Sequence, residues 1–415
     1  MCFLDLKILN SLWMVLSILL VLAMIPGLAF FYGGLSRAKH SVNTMFMSFI
    51  IMGPLSLLWL FFGFTFVFGE SFNGIIGNFQ YFALQNLPLN LNDIPSILFI
   101  FFQMIFSFIA CAIISGAIIE RVRQSFWFIF SILWTLLVYY PVAHWVWGSG
   151  GWIEELGGRD FAGGLVVHIT SGASAFILAK SIGRRLDFFK LKKSYNLGFV
   201  FLGMSFLWIG WFGFNAGSAL AFNSIAVNSI ITTLTASLTS LLAWYLMDLI
   251  FTPHKPTAKG LNIAIICGLV GITPSAGYVG LWESAIIGIV IAWICNIGIR
   301  YFHSVIKVDD ALDVFISHGF AGLVGALLTG VFAHSAVNNA IENGIFHGSD
   351  WTIFNANLIG SIVVMAYSML MTKIIYTLLN SYITKARMDK EEEEIGADIS
   401  IHGEHVLIIK NDMEY

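Results

Sequence analysis

Charged residues are scarce in this chain. Of its 415 residues, only 11% are Asp, Glu, Lys or Arg, whereas a soluble domain carries roughly 25%. Hydrophobic residues make up 58%, which is more apolar surface than a compact soluble core can hide. A bilayer accommodates such a composition, because each membrane-spanning helix needs about 20 mainly apolar residues. The composition therefore excludes an ordinary soluble protein and favours a multi-spanning membrane protein.

Cysteine is also scarce, and no basic block of the kind that binds nucleic acid is present. The four cysteines, Cys2, Cys111, Cys267 and Cys295, are scattered without paired spacing. We interpret them as small, mainly buried hydrophobic residues. The formal net charge is −3, which gives no indication of a nucleic-acid partner. We expect neither a cofactor nor a metal site.

Long apolar runs divide the chain into eleven predicted membrane spans. They lie near residues 9–34, 43–69, 95–119, 125–147, 162–184, 196–222, 226–250, 259–276, 280–300, 312–334 and 353–383. The first run is long, and the stretch from Pro26 to Gly34 offers no small-residue cleavage site. It is therefore predicted to be a structural helix rather than a secretory signal.

Basic residues indicate the orientation, because Lys and Arg accumulate on the cytoplasmic side of a membrane. With eleven spans, all of the 21 basic residues except Lys7 and Arg159 fall on one side. This distribution predicts an N-terminus outside and a C-terminus inside. A miscounted span would scramble the alternation, so the charge pattern supports the count independently.

Two short motifs indicate an inverted repeat. Asp160 precedes His168 at the start of the fifth span with the same spacing as Asp310 precedes His318 at the start of the tenth, 150 residues later. The two spans enter the membrane from opposite faces, since five is an odd number. Inverted repeats are common in transporters, with the substrate path between the halves. We therefore predict an all-α integral membrane protein with two inverted five-helix repeats and a final helix.

The histidines of these motifs are candidate pore residues. His168 and His318 each lie about six residues inside an apolar helix, roughly 9 Å deep from opposite faces. Ionisable groups at such depth are rare and usually face a pathway. The alternative is a pair of core histidines, each bonded to a neighbouring carbonyl. Straight-helix arithmetic does not by itself bring the two rings into contact.

The acidic residues of the same motifs have structural interpretations. Asp160 stands where a helix N-cap is expected, although attraction of a cation is an alternative. Asp309, Asp310 and Asp313 begin the tenth span and suit the positive end of its dipole. We interpret these three as mainly structural.

Seven motifs, in order along the chain, carry a resemblance to a known family. They are Phe31–Leu35, Gly116–Arg121, Pro141–Gly148, Asp160–His168, Gly210–Ser218, Gly271–Pro274 and Asp310–Gly319. Together they resemble the Amt/Mep/Rhesus ammonium transporters over nearly the whole chain. Trp147 and Ser218 favour the Amt/Mep branch over a Rhesus-type channel for neutral gas.

The resemblance implies an outer ammonium-binding site at Phe106, Trp147 and Ser218. Aromatic faces attract a desolvated cation by about 2 kcal/mol or more, and a serine hydroxyl can accept an ammonium hydrogen. Beneath this site, Phe106 and Phe214 would form a gate that excludes bulk water. Asp160 would mainly hold the backbone of the outer vestibule.

The resemblance also implies that His168 and His318 line a dry pore. Burial disfavours a charged imidazole, and two neutral rings in contact can share a hydrogen, hold ammonia and relay a proton. A bare monovalent cation meets a large desolvation barrier in an apolar pore. Ammonium can leave its proton behind, whereas potassium has none to lose, so potassium is expected to be refused.

The chain changes character after a predicted transmembrane domain of residues 1–383. Residues 384–415 form a tail that, taken alone, suggests a solvated cytoplasmic segment. By resemblance it is a regulatory tail that couples the protomers of a homotrimer and contacts PII-type nitrogen-signalling proteins. Ala397 replaces the commoner leucine there, and residues 405–415 are idiosyncratic. We expect a multi-pass protein of the cell membrane, in a bacterial inner membrane.

The sequence leaves two other classes of function open. An Amt-like sensor would bind ammonium and signal through its tail without appreciable flux. A membrane enzyme would use His168 and His318 as metal ligands, but it would need further ligands at the same depth, and the sequence places none beside them. We therefore expect a transporter and not an enzyme.

Overall fold

The computed structural model of the protein describes residues 3–91, 94–186, 188–189, 194–251 and 255–404, so Cys2 and tail residues 405–415 lie outside it. The α-helices are α1 Phe3–Leu35, α2 Ser41–Ile50, α3 Met52–Leu58, α4 Phe64–Phe68, α5 Ser96–Ile118, α6 Gln124–Trp134, α7 Tyr140–Trp147, α8 Trp152–Glu155, α9 Thr170–Ile182, α10 Leu197–Gly217, α11 Ser224–Phe251, α12 Ala258–Ile272, α13 Leu281–Tyr301, α14 Ala321–Phe332, α15 Thr352–Tyr382, α16 Lys390–Ile395 and α17 Ala397–His402. The π-helical segments are Trp59–Gly63, Thr135–Tyr139, Gly164–Ile169, Phe302–Ile306 and Phe315–Phe320, and 3₁₀ turns lie at Ala38–His40, Phe82–Leu84 and Ile345–His347. Two small antiparallel hairpins join β1 Ser71–Phe72 to β2 Ile76–Gly77, and β3 Asn90–Leu91 to β4 Ile94–Pro95.

Ten helical stretches in the described ranges are long and apolar enough to span a membrane. They are Leu6–Leu35, Ala38–Phe68, Ser96–Ile118, Gln124–Glu155, Gly164–Ile182, Leu197–Gly217, Ser224–Phe251, Leu281–Ile306, Phe315–Phe332 and Thr352–Tyr382. Helix α12 lies where the eighth span is predicted and is also apolar, but it has only 15 residues. At about 1.5 Å per residue it is shorter than a bilayer core of roughly 30 Å. The predicted all-helical, multi-pass membrane architecture is confirmed at this level.

The first helices of the two predicted halves, α1 and α10, lie in close contact. A Cβ atom added to Gly203 of α10 would lie 2.3 Å from the Phe31 nitrogen, and one added to Gly27 of α1 would lie 2.9 Å from Phe206 Cβ. Only residues without side chains allow two helices to approach this closely. The contact sets α1 and α10 side by side, and both contribute to the candidate site.

The starts of the fifth and tenth predicted spans share an unusual local structure. Each opens with a π-helical segment, Gly164–Ile169 or Phe315–Phe320. The residue five positions before each candidate histidine has a left-handed backbone, with φ of 117° at Gly163 and 62° at Asp313. Such a φ is uncommon for a residue other than glycine. The similarity of the two motifs therefore extends from their sequence spacing to their backbone conformation.

A buried ion-pair network joins the helix ends on one face, here called the tail face, where α1, α5, α9, α13 and α15 end. Arg37 and Arg185 each lie 3.0 Å from the Glu120 carboxylate, and Arg185 also bonds Asp309 at 2.6 Å. Burial alone would raise the pKa of Glu120, but Arg185 and Arg37 hold it at about 2. Asp309 therefore has a structural role, as predicted, and it acts as an ion-pair partner of Arg185.

The tail packs against the tail face over residues 385–402 by one set of buried positions, while Asp389, Lys390 and Glu391 stay exposed. The prediction of a solvated segment is therefore wrong only for the buried positions. Arg123 bonds the Asp389 carboxylate at 2.9 Å, and the Asp398 carboxylate accepts the N–H groups of Val42 and Asn43 at 3.1 and 2.8 Å. The acidic residues that suggested solvation instead meet basic side chains and a helix N-terminus, which favours negative charge.

Candidate functional site

An open cavity of about 390 Å³, here called the vestibule, lies on the face opposite the tail. Its wall includes Trp147, Asp160, Ser218 and Tyr278. The Trp147 indole N–H donates to the main-chain carbonyl of Asp160 at 2.9 Å, which fixes the plane of the ring. The Ser218 hydroxyl donates to the Phe214 carbonyl at 2.9 Å. Its single hydrogen is thereby used, and its lone pairs are left to accept a hydrogen from a ligand.

The Asp160 carboxylate lies at the floor of the vestibule and caps the start of the fifth span. One oxygen accepts the N–H groups of Gly163 and Gly164 at 2.9 and 2.7 Å, and the other accepts those of Leu165 and Val166 at 2.7 and 3.2 Å. Burial raises the pKa of Asp160, while these four hydrogen bonds oppose the rise. The carboxylate oxygens point into the helix start, and only 6% of the residue is exposed.

Two stacked phenylalanine rings lie next to Trp147 of the vestibule wall. The rings of Phe106 and Phe214 lie 4.1 Å apart, centroid to centroid, and only 11° from parallel. Trp147 stands edge-on above Phe106 at 5.9 Å. Both phenylalanines are almost fully buried. The stack therefore places two buried apolar rings between Trp147 and the residues beneath them.

His168 and His318 meet beneath the phenylalanine stack. Their Nδ1 atoms lie 3.3 Å apart and their ring centroids 5.3 Å apart. Because a neutral imidazole has one N–H and one bare nitrogen, one ring can donate to the other. Nε2 of His168 has no hydrogen-bond partner among the described residues. Trp211 stacks on His168 at 5.5 Å and is itself held by a 2.9 Å bond from its indole nitrogen to Thr273.

The contact of the two imidazoles depends on a close helix crossing beside them. A Cβ atom added to Gly172 would lie 2.2 Å from the Gly319 nitrogen, so the main chains of the fifth and tenth spans touch at these glycines. Each span also begins late, after a non-helical segment, which places its first turn deep in the protein. An estimate of depth from the rise of a straight helix includes neither feature, and it therefore does not predict that the two imidazole rings are in contact.

An enclosed cavity of about 20 Å³, here called the histidine cavity, lies beneath His318. Its wall is almost entirely apolar and comes mainly from α1, α5, α10 and α12. The Tyr32 hydroxyl donates to the Ile113 carbonyl at 3.1 Å, and the Ser317 hydroxyl donates to the Asp313 carbonyl at 2.8 Å. A cavity of this volume holds about one water-sized molecule.

Some residues of this site were not singled out from the sequence. Trp211 and Thr273 lie within two of the motifs that carry the resemblance, so the sequence contained a signal that could have identified them. Gly172 and Ile263 had no such signal, since small and apolar residues are common throughout the chain. Within the described ranges, no three or more His, Cys, Asp or Glu side chains are grouped so that they could hold a metal ion.

Comparison with known proteins identifies the family of this chain. The family model described as Ammonium Transporter Family matches residues 12–407. A putative ammonium transporter of Methanothermobacter thermautotrophicus is 42% identical over 95% of this chain and 97% of its own length. The crystal structure of Candida albicans Mep2 superposes with a TM-score of 0.87 at 31% identity, over 94% of this chain and 89% of that one.

A solved protein named Sensor Amt Protein is also similar, with a TM-score of 0.88 at 28% identity over 96% of this chain and 99% of that one. The matches cover almost the full length of both partners in each case. They confirm the resemblance that the motifs indicated. The chain belongs to the ammonium transporter family.

Proposed function

We propose that this protein moves ammonium nitrogen across the membrane as ammonia. The observation that carries the proposal is an unbroken succession of ring contacts from the vestibule to the histidine cavity. Trp147 contacts Phe106, Phe106 stacks on Phe214, Phe214 lies 6.1 Å from His168, and His168 contacts His318. Along this line the surroundings change from an open polar cavity to a closed apolar one.

Recruitment takes place in the vestibule. Ammonium has four N–H donors, and the free lone pairs of Ser218 accept one of them. The faces of Trp147 and Phe106 attract the cation by about 2 kcal/mol or more once it loses water. Asp160 contributes mainly by holding the backbone that supports Trp147, because its carboxylate is occupied by main-chain N–H groups.

Selectivity arises at the phenylalanine stack and the histidine pair. A cation that entered the apolar pore would lose its hydration without gaining a countercharge, which is a large penalty. Ammonium avoids the penalty by releasing one proton and continuing as NH₃, which His168 and His318 hold by hydrogen bonds. Potassium has no proton to release. The proton either returns to the vestibule side or passes separately along the two imidazoles.

The arrangement in the cell follows from the same proposal. The vestibule faces outside and the tail face lies in the cytoplasm of a bacterium, with eleven spans, the N-terminus outside and the C-terminus inside. Residues 1–383 form the transport domain and residues 384–415 a regulatory tail. The protein works as a homotrimer with one pore in each subunit, and a PII-type protein is the candidate partner of the tail. Buried bonds such as that from the Asn43 N–H to the Asp398 carboxylate support a tail with a defined docked position.

The decisive experiment uses purified protein in proteoliposomes. Ammonium and potassium jumps are applied while a trapped dye reports internal alkalinisation and a solid-supported membrane reports current. We expect an ammonium-specific response that is lost, or no longer discriminates against potassium, in His168→Ala and His318→Ala. His334→Ala is the control, because that ring stacks on His347 in a loop of the vestibule face. A potassium current above background that equals the ammonium current in the unmodified protein would falsify the mechanism.

A second candidate function is ammonium sensing, which the similarity to the Sensor Amt Protein favours. A sensor would bind ammonium in the vestibule and transmit the occupancy to the tail without moving nitrogen. The same proteoliposomes separate the two functions. Binding of ammonium with no alkalinisation and no current supports the sensor, whereas alkalinisation supports the transporter.

A further inference from the structure

One residue, Ile263 of α12, lies between two cavities of opposite character. Above it is the histidine cavity, which is enclosed and almost entirely apolar. Below it is an open cavity of about 420 Å³ on the tail face, here called the tail-face cavity. The charged side chains on its wall are Asp248, Lys255, Lys259, Arg300, His303 and Asp313. Ile263 lines both cavities and is only 6% exposed.

The rest of this partition is the turn that precedes the tenth span. Leu312 lines the histidine cavity, whereas the next residue, Asp313, lines the tail-face cavity. Asp313 has the left-handed φ of 62°, and its carbonyl accepts both the N–H and the hydroxyl of Ser317. The turn is therefore held in place by its own hydrogen bonds. The side chain of Ile263 is the part of the partition that a substitution can remove without disrupting this turn.

The wall of the histidine cavity offers a proton no route downward. Besides His318, its polar side chains are those of Tyr32, Ser317 and Trp211. Each of these donates its hydrogen to a fixed partner: the carbonyls of Ile113 and Asp313, and the Thr273 hydroxyl. The cavity itself holds about one water-sized molecule, which is too few for a chain of water to reach past Ile263.

The tail-face cavity, by contrast, is built to hold charge. Nε2 of His303 lies 2.6 Å from the Asp313 carboxylate, and Lys259 Nζ lies 3.5 Å from it. Burial alone would raise the pKa of Asp313, but Lys259 and His303 hold it below its usual range. A proton that reached this cavity would meet charged groups and water, so the barrier to its passage is concentrated at Ile263.

We propose that Ile263 determines how much charge accompanies ammonia through this pore. The inference rests on the proposed function. Ammonium releases one proton, which returns to the vestibule side because Ile263 interrupts the path from His318 to the tail-face cavity. NH₃ passes the partition as a neutral molecule and takes a proton from water on the tail face, leaving hydroxide there. The unmodified protein then alkalinises vesicles with little current.

The test is the ratio of current to alkalinisation rate in proteoliposomes given an ammonium jump. Ile263→Ser is expected to raise this ratio several-fold, because the smaller polar side chain lets water connect the two cavities. Ile266→Ser is the matched control. It places a hydroxyl on the same helix and in the same histidine cavity, but Ile266 does not line the tail-face cavity. Its ratio is expected to match that of the unmodified protein.

The outcomes separate this inference from the proposed function. If Ile263→Ser alkalinises vesicles with an unchanged ratio, or if both serine variants raise the ratio equally, the role of Ile263 is refuted and ammonia transport stands. If the unmodified protein produces no alkalinisation, the proposed function fails and the inference falls with it. Ile263→Thr, which keeps the β-branched shape, decides the question if the serine variant does not fold.

Discussion

Replacing Asp160 with alanine is expected to destabilise the protein much more than it weakens ammonium recruitment. The carboxylate satisfies four main-chain N–H groups at the start of the fifth span. A buried donor left without an acceptor costs about 1–3 kcal/mol. Water from the vestibule can reach some of the four, so we take the lower bound for each, which gives a loss of roughly 4 kcal/mol.

The assay is thermal unfolding of the purified protein in detergent, together with ammonium dependence of transport. Asp350→Ala is the matched control, since this exposed carboxylate accepts a single main-chain N–H, from Thr352, at 2.9 Å. Loss of this exposed hydrogen bond is expected to change the unfolding temperature much less, because water can replace the carboxylate. Asp160→Asn should fall between the unmodified protein and Asp160→Ala, because it keeps one of the two acceptor oxygens.

One pattern of results would contradict the capping role of Asp160. If Asp160→Ala and Asp160→Asn unfold like the unmodified protein but need much more ammonium for half-maximal transport, the carboxylate acts by its charge on the cation. Equal effects of the two substitutions on ammonium dependence would support the same conclusion, because both remove the charge. The capping account requires instead that stability falls more for alanine than for asparagine.

Three further changes test other parts of the structure. Gly396→Ala is expected to release the tail, since an added Cβ would lie 2.5 Å from the Lys39 carbonyl oxygen. Gly403→Ala is the control, because Gly403 also has a positive φ but a Cβ added there meets no atom within 4 Å. Limited proteolysis of the tail measures the difference between the two variants. Glu120→Gln should make the stability of the protein depend less on pH between 4.5 and 2. The Glu120 carboxylate has its pKa lowered from 4.5 to about 2, so it stabilises the fold above pH 4.5 and loses that contribution as the pH falls towards 2. Thermal midpoints measured across this interval should therefore change less in the variant. Phe214→Ala should admit water and increase potassium current, and an unchanged potassium current would contradict a gating role for the stack.

The helical membrane architecture and the family could be predicted from the sequence, for physical reasons. Apolar runs long enough to span a membrane, and the placement of basic residues between alternate runs, are patterns of the sequence itself, so they can be recognised without a structure. The spacing of Asp160 and His168, repeated at Asp310 and His318, likewise needs no coordinates. The count of eleven spans is harder to settle, because α12 is cut short by the turn that includes Pro274.

Contacts across the molecule could not be predicted in the same way. The meeting of the imidazoles depends on Gly172 touching Gly319, and sequence alone does not indicate which of the 39 glycines lie at helix crossings. The docked tail was missed because a run of acidic residues has the same composition whether water or arginine neutralises it. Asp389 and Arg123, which bond each other, are separated by most of the chain.

The volume of the histidine cavity bears on the choice of tracer. Methylammonium is ammonium with one hydrogen replaced by a methyl group, so its neutral form has a carbon in addition to the nitrogen. A compartment of about 20 Å³ has room for about one heavy atom with its hydrogens. The pore would therefore select substrates by two properties, the ability to lose a proton and the length of the neutral molecule. A slow methylammonium signal from this protein would then report the narrowness of the compartment and not a low capacity for ammonia.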